Sequence, residues 1–71
     1  MSELRVQFGR RLRQLRRQKD LTQEQLADAA GISVDMLSNI ERGVNAPSFE
    51  TLAKLAKVLG VEVEGLFHFN A

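Results

Sequence analysis

The stretch VDMLSNIER, residues 34–42, carries the side chains best suited to chemistry. On a helical wheel at about 100° per residue, Leu37 and Ile40 point one way, while Asp35, Ser38, Asn39 and Arg42 point the other. Val34 and Met36 take the two flanks. A solvent-facing helix more often shows Lys and Glu in complementary pairs. This face holds short polar groups and one arginine instead. Short polar side chains are what reach base edges when a helix lies in the major groove of DNA. Asn39 can pair with adenine, Asp35 can accept from cytosine, and Val34 can touch a thymine methyl; Ser38 lies between them. Arg42, at the helix end, is better placed for a phosphate. Asp35 also stands in the first turn, where a carboxylate complements the helix dipole, and the two roles are compatible.

No comparable constellation serves catalysis. His68 is the only histidine and there is no cysteine. The carboxylates are scattered over helix surfaces, and there is no glycine-rich phosphate loop. Nothing pairs a base with a nucleophile or gathers ligands around a metal. The expectation is a protein that is not an enzyme and uses no cofactor and no metal. The lack of cysteine also removes disulfides, and it permits a cytoplasmic location. No apolar run approaches a membrane span and no signal peptide is visible, so no membrane partner is expected.

The elements that must hold residues 34–42 can be read around them. Gln23 to Arg42 reads as two short helices joined by a tight turn. Leu26, Ala27, Ala30, Ile32, Leu37 and Ile40 are its apolar positions, and Gly31 is in its middle. That is the pattern of a helix-turn-helix. Ala27 is small enough for the helices to approach closely, and Gly31 allows a left-handed backbone at the end of the first helix. Thr22 followed by Gln25 is a capping-box pattern that starts a helix over about Gln23–Ala29. Ser33 caps the next, about Val34–Arg42, and Gly43 stops it.

Before this unit a helix over about Glu3–Gln18 is expected. Ser2 is its cap, and Leu4, Phe8, Leu12 and Leu15 form its buried stripe. Gly9 within it marks a place of close packing. After the unit, Val44 to Pro47 form a loop, and Ser48 caps a helix over about Phe49–Leu59 that buries Leu52, Leu55, Ala56 and Leu59. A short fifth helix is expected over about Val63–Phe67, poorly capped by Glu62 and weakened by Gly65. The fold class is therefore all-α: one compact five-helix domain over residues 1–71, with the helix-turn-helix at its centre. A chain of 71 residues, 44% hydrophobic and 27% charged, suits one small globular domain.

Charge supports a nucleic-acid partner through its placement. The net charge is only +1, but residues 1–21 hold Arg5, Arg10, Arg11, Arg13, Arg16, Arg17 and Lys19 against Glu3 and Asp20. A basic face on a nearly neutral protein follows. Arginines chosen for helix propensity on a solvated face are the plainer reading of the same run. Glu41, on the half-buried flank of its helix, needs a partner, and Arg16 is the candidate.

With these residues in view, the chain resembles the phage repressor and Cro family of helix-turn-helix proteins, also called the xenobiotic-response-element family. The matching pieces are LRRQKDLTQEQLADAAGIS, LSNIERG and APSFETLAKLAKVLGVEVEGLF, which together lie within about residues 8–67. The resemblance implies a five-helix repressor-like domain that binds a near-palindromic double-stranded DNA operator as a homodimer and represses or autoregulates transcription. It implies base contacts from Val34, Asp35, Ser38 and Asn39. It implies phosphate contacts from Arg16, Thr22, Gln23, Arg42, Asn45 and Ser48, and the Arg16–Glu41 pair matches a family feature. Where some members carry a glutamine braced by another from the preceding helix, Val34 offers Gln23 no amide. A prokaryotic or phage origin is expected, and neither a small-molecule effector site nor an appended cleavage domain is. The tail over residues 61–71 is the expected dimerisation element, through Val63, Leu66, Phe67 and Phe69, because Phe69 has little obvious core to join. The rival reading is an antitoxin-like or regulatory module of the same fold that binds protein rather than a DNA sequence.

Overall fold

The computed structural model describes residues 3–69. Its elements are α1 (Glu3–Gln18), α2 (Gln23–Ala30), α3 (Val34–Glu41), α4 (Phe49–Leu59) and a 3-10 helix (Val63–Phe67). Among the described residues no strand occurs. The expected count of five α-helices is therefore corrected to four, followed by a tighter turn of five residues. Glu62, at the N-cap of that turn, makes no side-chain hydrogen bond to it. Such a segment is too short to sustain α-helical hydrogen bonding, so it closes in the i to i+3 pattern.

Most helix ends follow the local chemistry. Thr22 Oγ1 accepts from the Gln25 amide at 3.0 Å and Gln25 Oε1 accepts from the Thr22 amide at 2.8 Å, completing the capping box. Ser33 and Ser48 accept from the amides of Met36 and Thr51. Gly31 ends α2 with φ at +70°, and the Ile32 amide reaches back to the Ala27 carbonyl at 2.9 Å. That reach-back bond is the Schellman pattern. α2 runs one residue past the expected Ala29, and α3 stops at Glu41 with Arg42 as its cap. The expected Ser2 cap of α1 lies outside the described residues.

The core is a single cluster. α1 packs on α3 and on the 3-10 helix, α2 packs on α3 and α4, and α4 also packs on the 3-10 helix. Phe8, Leu12 and Leu15 of α1 meet Leu26, Ala27 and Ala30 of α2, Leu37 and Ile40 of α3, and Leu52, Leu55, Ala56 and Leu59 of α4. Burying each large aliphatic side chain contributes about 1.5–3 kcal/mol. Leu66 closes the cluster and is fully buried.

Leu4 departs from expectation. It was assigned to the buried stripe of α1 but is 54% exposed. A wheel gives the direction of a side chain and says nothing of what stands opposite. Leu4 meets only the rim of a shallow groove shared with Phe8, Ala46, Pro47, Leu52 and Phe67. Gly9 behaves as expected, since a β-carbon there would lie 2.4 Å from the Glu41 carbonyl oxygen. The backbones of α1 and α3 therefore touch.

Candidate nucleic-acid interface

α3 turns Leu37 and Ile40 into the core and leaves Val34, Asp35, Met36 and Arg42 exposed, with Ser38 and Asn39 half-buried. The outward face read from the sequence is thus the face the tertiary structure presents. Asn39 Oδ1 accepts from Arg42 Nη1 at 3.4 Å, a long and exposed contact. At that length it contributes little. Pairing with adenine needs both the oxygen and the amide nitrogen of Asn39. The Asn39 oxygen has a second lone pair, so this contact leaves it able to accept another hydrogen bond.

A buried polar network sets the position of α3. Arg16 Nε donates to Glu41 Oε2 at 2.7 Å and Arg16 Nη2 donates to Glu41 Oε1 at 3.2 Å. The third nitrogen, Nη1, donates to the Leu21 carbonyl at 2.7 Å. Gln23 Nε2 adds a bond to Glu41 Oε1 at 3.1 Å. The end of α1, the start of α2 and the end of α3 are therefore joined at one carboxylate, and the Arg16 guanidinium ties in the turn before α2. Among the described residues no buried side-chain polar atom lacks a partner.

One expectation changes here, and one residue gains a partner. Arg16 was assigned both to Glu41 and to a phosphate. Its side chain is only 10% exposed and all three nitrogens are engaged inside the protein, so its geometry serves the ion pair. Gln23 lacks the amide partner that a glutamine at position 34 would supply, and it braces Glu41 instead.

The flanks of α3 hold the remaining candidates. Thr22 is exposed and Gln23 half-buried at the start of α2. The first amides of a helix have no intrahelical partner and carry a partial positive charge, which favours an anion there. Beyond the other end of α3, Val44 and Asn45 fold back so that both amides donate to the Asn39 carbonyl, at 2.9 and 3.3 Å. Arg5 Nη1 donates to the Val44 carbonyl at 3.2 Å, tying this loop to α1. Asn45 and Ser48 are exposed beside it. The structure thus brings the expected contacts onto two shoulders, α2 and the loop before α4, with α3 between.

Sequence reasoning passed over Arg13 as an individual residue. It borders a shallow depression together with Arg16, Thr22, Gln23, Glu24 and Val34. The signal was its place one turn before Arg16 on the same helix.

The expected dimerisation residues separate. Leu66 is fully buried within the monomer and offers no surface. Phe67 is 37% exposed, with its ring 5.0 Å from that of Phe8. Phe69 does find a core to join: it packs against the cluster's edge and sits edge-on to Phe67. Val63 is exposed. Residues 70–71 of the expected tail lie outside the described residues. Among the described residues, no group of three or more His, Cys, Asp or Glu side chains is placed to hold a metal, and no helix is long and apolar enough to cross a membrane.

Comparison with known proteins places this geometry. The model of a family described as helix-turn-helix matches residues 12–66. The HTH-type transcriptional regulator DdrOP3 of Deinococcus deserti is 48% identical over 56 residues, which cover 79% of this chain and 43% of that protein. The control protein C.BamHI of Bacillus amyloliquefaciens is 35% identical over 70 residues, covering 97% of this chain and 86% of its own. Among solved structures, the restriction-modification controller protein C.AhdI of Aeromonas hydrophila superposes with a TM-score of 0.86 at 41% identity, over 89% of this chain and 96% of that one. The clp gene regulator ClgR of Corynebacterium glutamicum gives the same TM-score at 37% identity, over 92% of this chain and 69% of that one.

Proposed function

This chain belongs to the helix-turn-helix family of transcriptional regulators, and we propose that it reads a near-palindromic operator in double-stranded DNA as a homodimer and represses transcription, its own included. The observation that carries the reading is the exposed face of α3, where Val34, Asp35, Ser38 and Asn39 stand between two shoulders suited to phosphate. In this reading α3 enters the major groove. Asn39 and Asp35 discriminate bases, Val34 supplies an apolar contact, and Ser38 lies between. Thr22 and Gln23 on one shoulder, with Arg42, Asn45 and Ser48 on the other, hold the backbone and fix the register.

The size of the domain supports a dimer. Its extents of 27 × 22 × 21 Å fall short of the turn of DNA that separates two half-sites, about 34 Å. An operator of two half-sites one turn apart would therefore take two copies. Val63, Phe67 and the half-buried Phe69, with Leu4 nearby at the groove beside Phe67, are among the apolar side chains available for pairing. The relatives come from bacteria and from a bacterial phage. We place the action in the cytoplasm, where such DNA is found.

Selection from a random duplex library at near-physiological salt tests the reading. The expected outcome is a two-fold symmetric motif with half-sites about one turn apart. A single enriched half-site would remove the dimer and keep the DNA reading. Weak, uniform binding without enrichment would overturn both.

A further inference from the structure

The basic residues of α1 divide sharply by what they touch. Arg5 is tied to the Val44 carbonyl, Arg16 to Glu41, and Arg11 to the Gly65 carbonyl at 3.0 Å and to Gln14. Arg10, Arg13 and Arg17 make no such bond among the described residues, and no carboxylate there lies within 4.0 Å of them. All three are exposed. At helical spacing they fall within about 60° of arc and span about 10 Å along the axis. Leaving three arginines unpaired on one stripe carries a cost in mutual repulsion, which an anionic partner removes.

We propose that Arg10, Arg13 and Arg17 form a comb for the phosphate backbone of DNA outside the half-site read by α3. The inference rests on the DNA-binding reading above. Arg13 supplies the continuity. It borders the depression that Thr22, Gln23 and Val34 share, and it also borders the one formed by Arg10, Gln14, Arg17 and Gln18. The stripe thus adjoins the α2 shoulder at Arg13 and extends along α1 to either side of it. Glu24 edges the first depression, and Glu3 edges a further one beside Arg10. Neither carboxylate pairs with the stripe, so its field stays positive. One strand of a duplex carries a charge about every 3.4 Å of axis, so a comb of this length matches about three phosphates. The contact is indifferent to sequence, because it engages no base edge.

The test compares two duplexes carrying the motif enriched by selection. One is trimmed at the edges of the half-sites, and the other is extended by about one helical turn at each end. The wild-type chain is expected to bind the extended duplex more tightly, and the advantage should shrink as salt rises. The triple variant R10Q/R13Q/R17Q should bind both duplexes alike. On the extended duplex its log–log salt slope should be shallower by about 2.7, so that its deficit at 50 mM salt is about 40-fold larger than at 200 mM. Circular dichroism checks that the variant is folded, and the single variant Arg13→Gln, expected to lose about one third of the slope change, serves if it is not. Unchanged slope and unchanged length dependence would overturn the comb and leave the operator reading intact. Failure of the wild-type chain to prefer any sequence would overturn the reading on which the comb rests.

Discussion

In the proposed DNA reading, Asn39 and Arg42 take two adjacent roles that single substitutions can separate. They touch in the free protein at 3.4 Å, and each is assigned a different part of the duplex. Asn39→Ala is expected to cost about 1–3 kcal/mol on the preferred sequence and little on others, so that selectivity at one base pair relaxes. Arg42→Ala is expected to weaken all sequences alike and to lower the salt slope by about one. Binding titrations on a panel of duplexes separate the two, and equal loss from Asn39→Ala on every sequence would remove its base-reading role. Two glycines give a matching pair of predictions for stability. A β-carbon at Gly31 meets nothing within 4 Å, so Gly31→Ala is penalised only through its φ of +70°, by about 1 kcal/mol. A β-carbon at Gly9 would lie 2.4 Å from backbone oxygen, so Gly9→Ala must push α1 off α3. Urea denaturation should show the second loss to be several times the first.

The carboxylate of Glu41 is the joint between elements. Arg16, Gln23 and the Leu21 carbonyl converge on one small buried network, so the angle between α2 and α3 is set by charge-assisted bonds as well as by Leu26, Leu37 and Ile40. Removing one member strands the other. Glu41→Ala is expected to lose about 3–5 kcal/mol, because the Arg16 guanidinium remains buried without its partner. Replacing both together, as Arg16→Met with Glu41→Leu, should recover much of that loss, since apolar groups of similar volume often match a buried ion pair. A double variant as unstable as the single one would show that the pair contributes net stability. The connection was legible in part. Glu41 announced its need by its place on a half-buried flank, and Arg16 was the candidate on α1. The link to Gln23 was not legible, because it depends on where the first turn of α2 lies in space.

For the whole molecule the proposed homodimer sets the question of where two copies would meet. Val63 lies on the surface beside the buried Leu66, so a charge at position 63 should spare the monomer and disturb pairing. Val63→Asp is expected to leave the melting temperature nearly unchanged, within about 0.5 kcal/mol of stability. The stoichiometry on the selected duplex should fall from two copies to one in analytical ultracentrifugation. A variant that still binds as two would move the interface elsewhere, and the groove lined by Leu4, Pro47 and Phe67 would be the next surface to test.

The sequence by itself determined the local structure. The caps at Thr22, Ser33 and Ser48, the turn at Gly31 and the faces of α3 follow from side-chain chemistry and helical period, which act within a few residues. Family likeness was legible for the same reason, since its motifs are runs of such local signals. Only the tertiary structure decided matters that depend on what lies opposite. It left Leu4 at a rim rather than in the core, set Leu66 inside and Phe67 half outside, and drew Phe69 onto the core's edge. It also sorted the arginines of α1 into those held by a carbonyl or carboxylate and those that, among the described residues, meet neither. A helical wheel assigns each residue a direction, but burial and pairing require a neighbour, and the neighbours here come from segments far apart in the chain.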